Sequence, residues 1–417
     1  MSHRMFGFGR RHALAWCSLA TLTLASLSPA SAAQSYSRIN KLFNGGTNGG
    51  GSGTVVYHSF RVPSIVKANG NVMLAFCEGR VSSDSDWGNI NLVYKRSTDN
   101  GATWSGLIEL EGTGPGGWTN PTAVWEPSWS SSYPNGRVHL FFNWNSGDET
   151  SMSTIVAGDR KTYYTYSDDN GVTWATKQDL TSTLKPSTWG WDAVGPGNGI
   201  VKTVSPNIGR VVVPATKRNF HSDDHGASWN FTYMPSSGTG NLTGESTIVE
   251  CLGGELYRND RAVKGNGTWD SAKRRWISYG QIGDFPTPTA QQNLPDPAMA
   301  ASILRYNMSS PDRIIFLNSD STATRRRMKV RISYDDGLTW QRDRWLYVGT
   351  APDNHTTIGD AEDAGKGGYS SMIKTNDYHI AALVEVNESF TNSGTTNQSI
   401  DLHKFNLDWI RNGAGDP

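Results

Sequence analysis

Four copies of one eight-residue pattern, S-x-D-x-G-x-[TS]-W, recur at Ser97–Trp104, Ser167–Trp174, Ser222–Trp229 and Ser333–Trp340. The chain must therefore repeat one small unit. Each copy reads as a hairpin. Asp99, Asp169, Asp224 and Asp335 are placed to bond backbone N–H groups two residues on, Gly101, Gly171, Gly226 and Gly337 supply a left-handed residue, and the Trp leads into the next strand. Acidic residues in such a box are explained by turn formation, and no calcium site is needed.

The spacing extends the pattern. Ser278, in Ile277-Ser278-Tyr279-Gly280, falls midway between the boxes at Ser222 and Ser333, roughly 55 residues from each, and marks a decayed copy. A period of this length, with short strands and turn signals between them, predicts radially repeated four-stranded antiparallel blades. The fold expected is an all-β, six-bladed β-propeller over residues 34–417. With 45 Gly, 16 Trp, 15 Tyr and 18% charged residues, the chain has little material for long amphipathic helices. Runs such as Ile380-Ala-Ala-Leu-Val-Glu385 and Arg210-Val-Val-Val-Pro214 read as buried strands.

Residues 1–33 stand apart. Arg4, Arg10 and Arg11 precede an apolar run that ends at Ala30-Ser31-Ala32, the pattern of a cleavable signal peptide, with cleavage expected near Ala32 or Ala33 and secretion as the destination. No later stretch is long enough to span a membrane as an apolar helix. Removing the leader takes away three positive charges and no negative ones, moving the balance from +0 to about −3, so nucleic acid is not an expected partner. Cys77 and Cys251 lie in apolar strands and are read as buried free thiols. Gly112–Gly117 matches G-x-G-x-x-G, but Pro115 and the following Trp118-Thr-Asn-Pro121 leave no helix to receive a phosphate. There is no Cys/His metal spacing and no nucleophile elbow, so no cofactor or metal is expected.

The chemistry lies between the boxes. Ser59-Phe-Arg61-Val-Pro63 puts an arginine in an apolar strand, where it requires a partner. Further segments carry charge into similar strands: Phe76-Cys-Glu78-Gly-Arg80 leading to Asp86-Trp-Gly-Asn-Ile-Asn, Gly244-Glu245-Ser-Thr-Ile-Val leading to Arg261, and Arg325-Arg-Arg-Met-Lys-Val-Arg331 leading to Gly368-Tyr369-Ser370. On these segments, the Asp boxes, Gly195-Pro-Gly-Asn-Gly-Ile200 and the closing Phe405-Asn-Leu-Asp-Trp409, the chain closely resembles the bacterial sialidase (neuraminidase) family over nearly its whole length after the leader.

The resemblance implies an exo-α-sialidase that removes terminal α-linked sialic acids from glycans, glycoproteins or gangliosides with retention of configuration. It makes Arg61, Arg261 and Arg325 a triad around the substrate carboxylate, to which guanidinium groups offer planar paired donors. It makes Tyr369 the nucleophile, Glu245 the base that takes its proton and Asp86 the acid, with Asp84 as fallback and Glu78 and Arg80 as support. A neutral nucleophile suits a sugar whose anomeric carbon carries a carboxylate, and sialidases are the tyrosine exception among retaining glycosidases. Strand alternation would also let Arg327 share the face of Arg325, so the third arginine is left open between them. Two other readings remain. One is a hydrolase of the deaminated sugar, raised by Asp192 in Trp189-Gly-Trp191-Asp192, although a loop acid is expected to turn toward solvent. The other is a catalytically silent glycan-binding propeller, disfavoured because binding alone requires neither a nucleophile nor a base.

Overall fold

The computed structural model describes residues 33–48, 55–112, 114, 116–147, 154–235, 241–264, 274–323, 325–346, 367–387 and 397–417. The predicted leader lies outside them except for Ala33. Strands dominate, and the helices among the described residues are the short Thr181–Leu184 and Leu407–Arg411. Three antiparallel four-stranded sheets are contiguous in the chain: Ile200–Val201 to Asn230–Tyr233, Asn241–Glu250 to Thr289–Pro295, and Ser302–Asn307 to Arg342–Trp345. A larger sheet holds two further antiparallel runs of four, Ser59–Lys67 to Ile108–Glu111 and Gly117–Glu126 to Gln178–Asp179, joined where Ile90 pairs in parallel with Gly117. In the last sheet, Ser370–Lys374, Ile380–Asn387 and Asn397–Phe405 are completed by Tyr36–Phe43, from Tyr36 opposite Phe405 to Phe43 opposite Ile400. That N-terminal strand covers an edge that would otherwise be open to pairing.

Apolar faces of successive runs pack on one another. Leu74 and Phe76 meet Leu140 and Phe142, Phe141 and Tyr164 meet Val213 and Phe220, and Val212 meets Ile248 and Leu256. Tyr257 meets Ile314 and Phe316, Ile315 and Val330 meet Ala382 and Phe405, and Leu383 and Ile400 meet Ile65 and Ala75 of the first run. Cys77 and Cys251 are buried and free.

Each box links the third strand of its run to the fourth, and so does the segment after Ser278, between Arg274–Gly280 and Thr289–Pro295. The bonding inside a box differs from the expectation in reach. In the first box the Ser97 hydroxyl, not Asp99, accepts from Gly101 N–H at 2.9 Å. Asp99 accepts from the Thr103 N–H at 2.8 Å and its hydroxyl at 2.5 Å, four residues on. The reason is the pair of left-handed residues at the tip, Asn100 (φ 60°) and Gly101 (φ 86°), which curls the chain so that the Thr N–H points back at the carboxylate. The same geometry recurs at Asp169, Asp224 and Asp335. The Trp side chains do not lie in the following strands. Trp229 precedes Asn230–Tyr233 and inserts into the packed interface beside Phe141 and Tyr164.

Candidate active site

The first strands of several runs carry the site, and each is bent by a bulge beside its polar residue. In Ser59–Lys67 the register shifts between Arg61 and Ser64, with Val62 at φ 55°, a conformation unfavourable for a β-branched residue. In Gly117–Glu126 the shift falls at Asn120, φ 57°, and in Asn241–Glu250 it falls between Thr243 and Ser246, around Glu245. A bulge turns a side chain away from the sheet face its alternation would assign. Here the bulges coincide with polar residues that converge on one pocket.

At its centre the Tyr369 hydroxyl donates to Glu245 Oε2 at 2.5 Å. The guanidinium of Arg261 reaches the same Glu245 oxygen at 2.5 Å and also bonds the Tyr369 oxygen. The other two expected arginines flank the ring: the guanidinium carbon of Arg61 lies 5.5 Å, and that of Arg325 5.1 Å, from its centroid. Burial pushes the Tyr369 phenol well above the usual tyrosine range, against the pull of Arg261, and the negative Glu245 adds to the rise. The resting nucleophile candidate is therefore a neutral phenol beside a carboxylate.

Of Arg325 and Arg327, the structure places Arg325 beside Tyr369. It donates to the Ala298 carbonyl at 3.0 Å and faces Tyr369, whereas the Arg327 guanidinium sits 5.0 Å from the Trp345 ring. Strand alternation does not apply because the strand begins only at Met328 and Arg327 is left-handed, φ 58°. Burial among like charges holds Arg325 below the usual guanidinium range, with Arg261 and Arg61 opposing its charge. An anion placed among them relieves that repulsion.

Asp86 lies in the same pocket, 2.9 Å from Arg61 Nη1 and 2.8 Å from Arg80 Nη2. It is open to the pocket, its side chain 64% exposed, while Arg61 and Arg80 are 8% and 3% exposed. Its surroundings oppose the charge, but Arg80 and Arg61 outweigh this and hold the carboxyl well below the usual range. Arg80 is itself fixed by buried Glu78, at 3.1 and 2.6 Å, and Glu78 accepts from the bulged Asn120 N–H at 3.0 Å. Asp84 contributes a backbone carbonyl to Arg80.

Two residues were missed by sequence reasoning. Glu385 is fully buried. It accepts from Val62 N–H at 2.7 Å and Tyr369 N–H at 2.9 Å and lies 3.4 Å from Arg61 Nε, so one carboxylate orients both the triad arginine and the nucleophile candidate. A charge inside the otherwise apolar run 380–386 was the available signal, since such an acid requires buried partners. Arg160 is also buried, bonded to Thr119, Asn120, Asn145 and the Asp192 carbonyl, with its guanidinium 4.4 Å from the Trp191 ring. Its position in a polar loop gave no signal. The expectation for Asp192 was wrong: it is fully buried and paired with Arg218 at 2.8 and 2.7 Å, because a carboxylate among apolar strands is held by the nearest cation. Among the described residues no group of His, Cys, Asp or Glu gathers as a metal site requires.

The fold and the guanidinium-lined pocket define a class first. A BNR repeat-like domain matches residues 117–381, and the structure resembles that of the intramolecular trans-sialidase from Ruminococcus gnavus, with a TM-score of 0.70 over 90% of this chain and 99% of that one at 15% identity. The chain is 41% identical to an exo-alpha-sialidase of Aspergillus fumigatus over 86% of each protein, and 38% identical to one of Arthroderma benhamiae over the same shares. It belongs to the sialidase family of glycoside hydrolases.

Proposed function

We propose that this chain is a secreted exo-α-sialidase that cleaves terminal α-linked sialic acids from sialylated glycans with retention, on a six-bladed propeller. The blade count rests on six runs of four strands whose apolar clusters link each run to the next and the last to the first. Export rests on the pattern of the first 33 residues.

The observation that carries the chemistry is the 2.5 Å contact between the Tyr369 hydroxyl and Glu245, surrounded by Arg61, Arg261 and Arg325. The substrate carboxylate takes the place that Asp86 holds on Arg61, each charge-assisted bond contributing about 1.5–3 kcal/mol. Asp86, released from Arg61 and now beside a second anion, gains proton affinity, takes up a proton from solvent and donates it to the departing glycosidic oxygen. The Tyr369 oxygen attacks the anomeric carbon as Glu245 takes its proton. Asp86 then removes a proton from water, whose oxygen attacks the same carbon, and the tyrosine leaves with its proton restored by Glu245. Two displacements on opposite faces retain the configuration.

A second reading, preference for the deaminated sugar, is favoured by the cation behind Trp191, whose ring lies 4.4 Å from the buried Arg160 guanidinium rather than in a wholly apolar setting. Paired aryl α-glycosides of the two acids test both readings by NMR. N-acetylneuraminic acid released first as its α anomer supports the main proposal. A preference for the deaminated glycoside favours the second reading, and β anomer first from both contradicts the mechanism.

A further inference from the structure

The strands that carry the candidate catalytic residues end on a second cavity. Arg61 stands near the start of Ser59–Lys67 and Lys67 at its end, six residues or about 20 Å along the strand. Glu245 lies in the first half of Asn241–Glu250 and Ile248 in the second. Tyr369 precedes Ser370–Lys374, which closes on Lys374. A cavity of about 330 Å³ is lined by the far ends of these strands. That volume lies at the low end of small-molecule pockets, about 300–1,000 Å³.

A satisfied polar layer divides it from the catalytic pocket. Ser64 Oγ donates to the Gly197 carbonyl at 2.5 Å, Ser371 Oγ accepts from Ile65 N–H at 3.0 Å, and Asn198 bonds both Ser371 and the Ile65 carbonyl. With these groups bonded to one another, a sialoside held by the arginines has no path to the second cavity through this layer.

The cavity wall combines apolar side chains with two cations that no carboxylate neutralises. Val124, Ile248, Ile303 and Met372 supply the apolar part. Arg305, on the same rim, is neutralised by Asp312 and Asp336, and Glu250 is occupied by Lys202 and the Thr203 and Val204 backbone. Lys67 and Lys374 differ. Among the described residues neither has a carboxylate within ion-pair distance; Lys67 lies 5.7 Å from the Trp125 ring, and Lys374 donates to the Tyr306 carbonyl at 2.8 Å with the Tyr306 and Tyr378 rings at 4.3 and 5.1 Å. Burial lowers both below the usual lysine range, and the charge of Lys67 lowers Lys374 further. Two half-buried like charges over an apolar floor are an unfavourable arrangement that an anion with a hydrocarbon body relieves on both counts.

We propose that this cavity is a second ligand site, distinct from the glycan pocket, that takes a small aliphatic monocarboxylate with its carboxylate between Lys67 and Lys374 and its chain against Val124, Ile248, Ile303 and Met372. The test is calorimetry on the whole mature protein with decanoate as the probe and decanol and decyltrimethylammonium as uncharged and cationic controls. The site predicts one decanoate per chain, binding weaker by about tenfold in Lys67→Gln and Lys374→Gln, weak or absent binding of both controls, and kcat/KM on an aryl sialoside unchanged in both variants. Saturating sialic acid should leave decanoate binding intact. Decanol binding as tightly as decanoate, unchanged affinity in both lysine variants, or displacement of decanoate by sialic acid would each overturn the proposal. If a lysine variant melts abnormally, the competition with sialic acid and the decanol comparison on the unaltered protein still decide. Since the readout is binding, failure here leaves the sialidase reading untouched, and failure to release sialic acid leaves this site untouched.

Discussion

Asp335, just past the end of Met328–Ser333, and Glu245, at the bulge of Asn241–Glu250, are both carboxylates, yet they are held by different parts of the chain. Asp335 accepts from the Ser333 hydroxyl, from the N–H and hydroxyl of Thr339 and from the Gln341 amide, all within six residues. Glu245 accepts from Arg261 and from Tyr369, which is 124 residues away. The first kind of acid fixes a turn and is fully used by doing so. The second is held by groups that themselves face a pocket, so its bonds can be exchanged for bonds to a substrate. The two acids thus differ in what holds them and in whether those bonds can be exchanged, and that difference can be broken experimentally.

The largest effect expected is at Glu245. Glu245→Gln removes the base but keeps the shape, and turnover should fall by about 10²–10⁴-fold with the melting temperature nearly unchanged. Retained activity would mean that another group takes the tyrosine proton. Next is the third arginine: Arg325→Ala should lower kcat/KM by roughly 10–150-fold, the equivalent of one charge-assisted bond, while Arg327→Ala, whose side chain lies on Trp345, should remain near the parent. The reverse order would show that the loop before Met328 rearranges around substrate.

The pocket was more legible than its supports. Arg61 stood out as a charge in an apolar strand, whereas Glu245, Arg261 and Tyr369 were placed by the resemblance of their short local segments to those of sialidases. Asp86 was legible only through its D-x-G-N-I-N context. Glu385 and Arg160 act through partners far away in sequence, and the pairing of Asp192 with Arg218 joins a loop to a strand 26 residues on. No periodicity encodes such contacts. The boxes were visible as a pattern, but their bonding was misjudged by two residues because the consecutive left-handed residues Asn100 and Gly101 set the curl of the tip.

Smaller effects belong to the scaffold. Asp224→Ala loses the bonds to Ser228 N–H and hydroxyl and should lower unfolding free energy by about 1 kcal/mol with kcat/KM unchanged. Lost turnover in a normally melting variant would give the boxes a catalytic part. The smallest effect is in acid. The Thr103 hydroxyl and N–H hold Asp99 down to about 2, below its unfolded value, so the folded state binds fewer protons between these limits. Its contribution is complete above about pH 4 and disappears as pH falls toward about 2. In melts across that window Asp99→Asn should show a shallower loss than the parent, and parallel curves would remove Asp99 from the acid response.

The central claim is that Tyr369, neutral at rest and bonded to Glu245, forms the covalent intermediate. Incubation with a 3-fluoro sialosyl fluoride followed by peptide mass spectrometry tests it directly. A sugar adduct is expected on the peptide that carries Tyr369, formed in the parent and absent in Tyr369→Phe; an adduct on Glu245, or one that persists in Tyr369→Phe, would contradict this role.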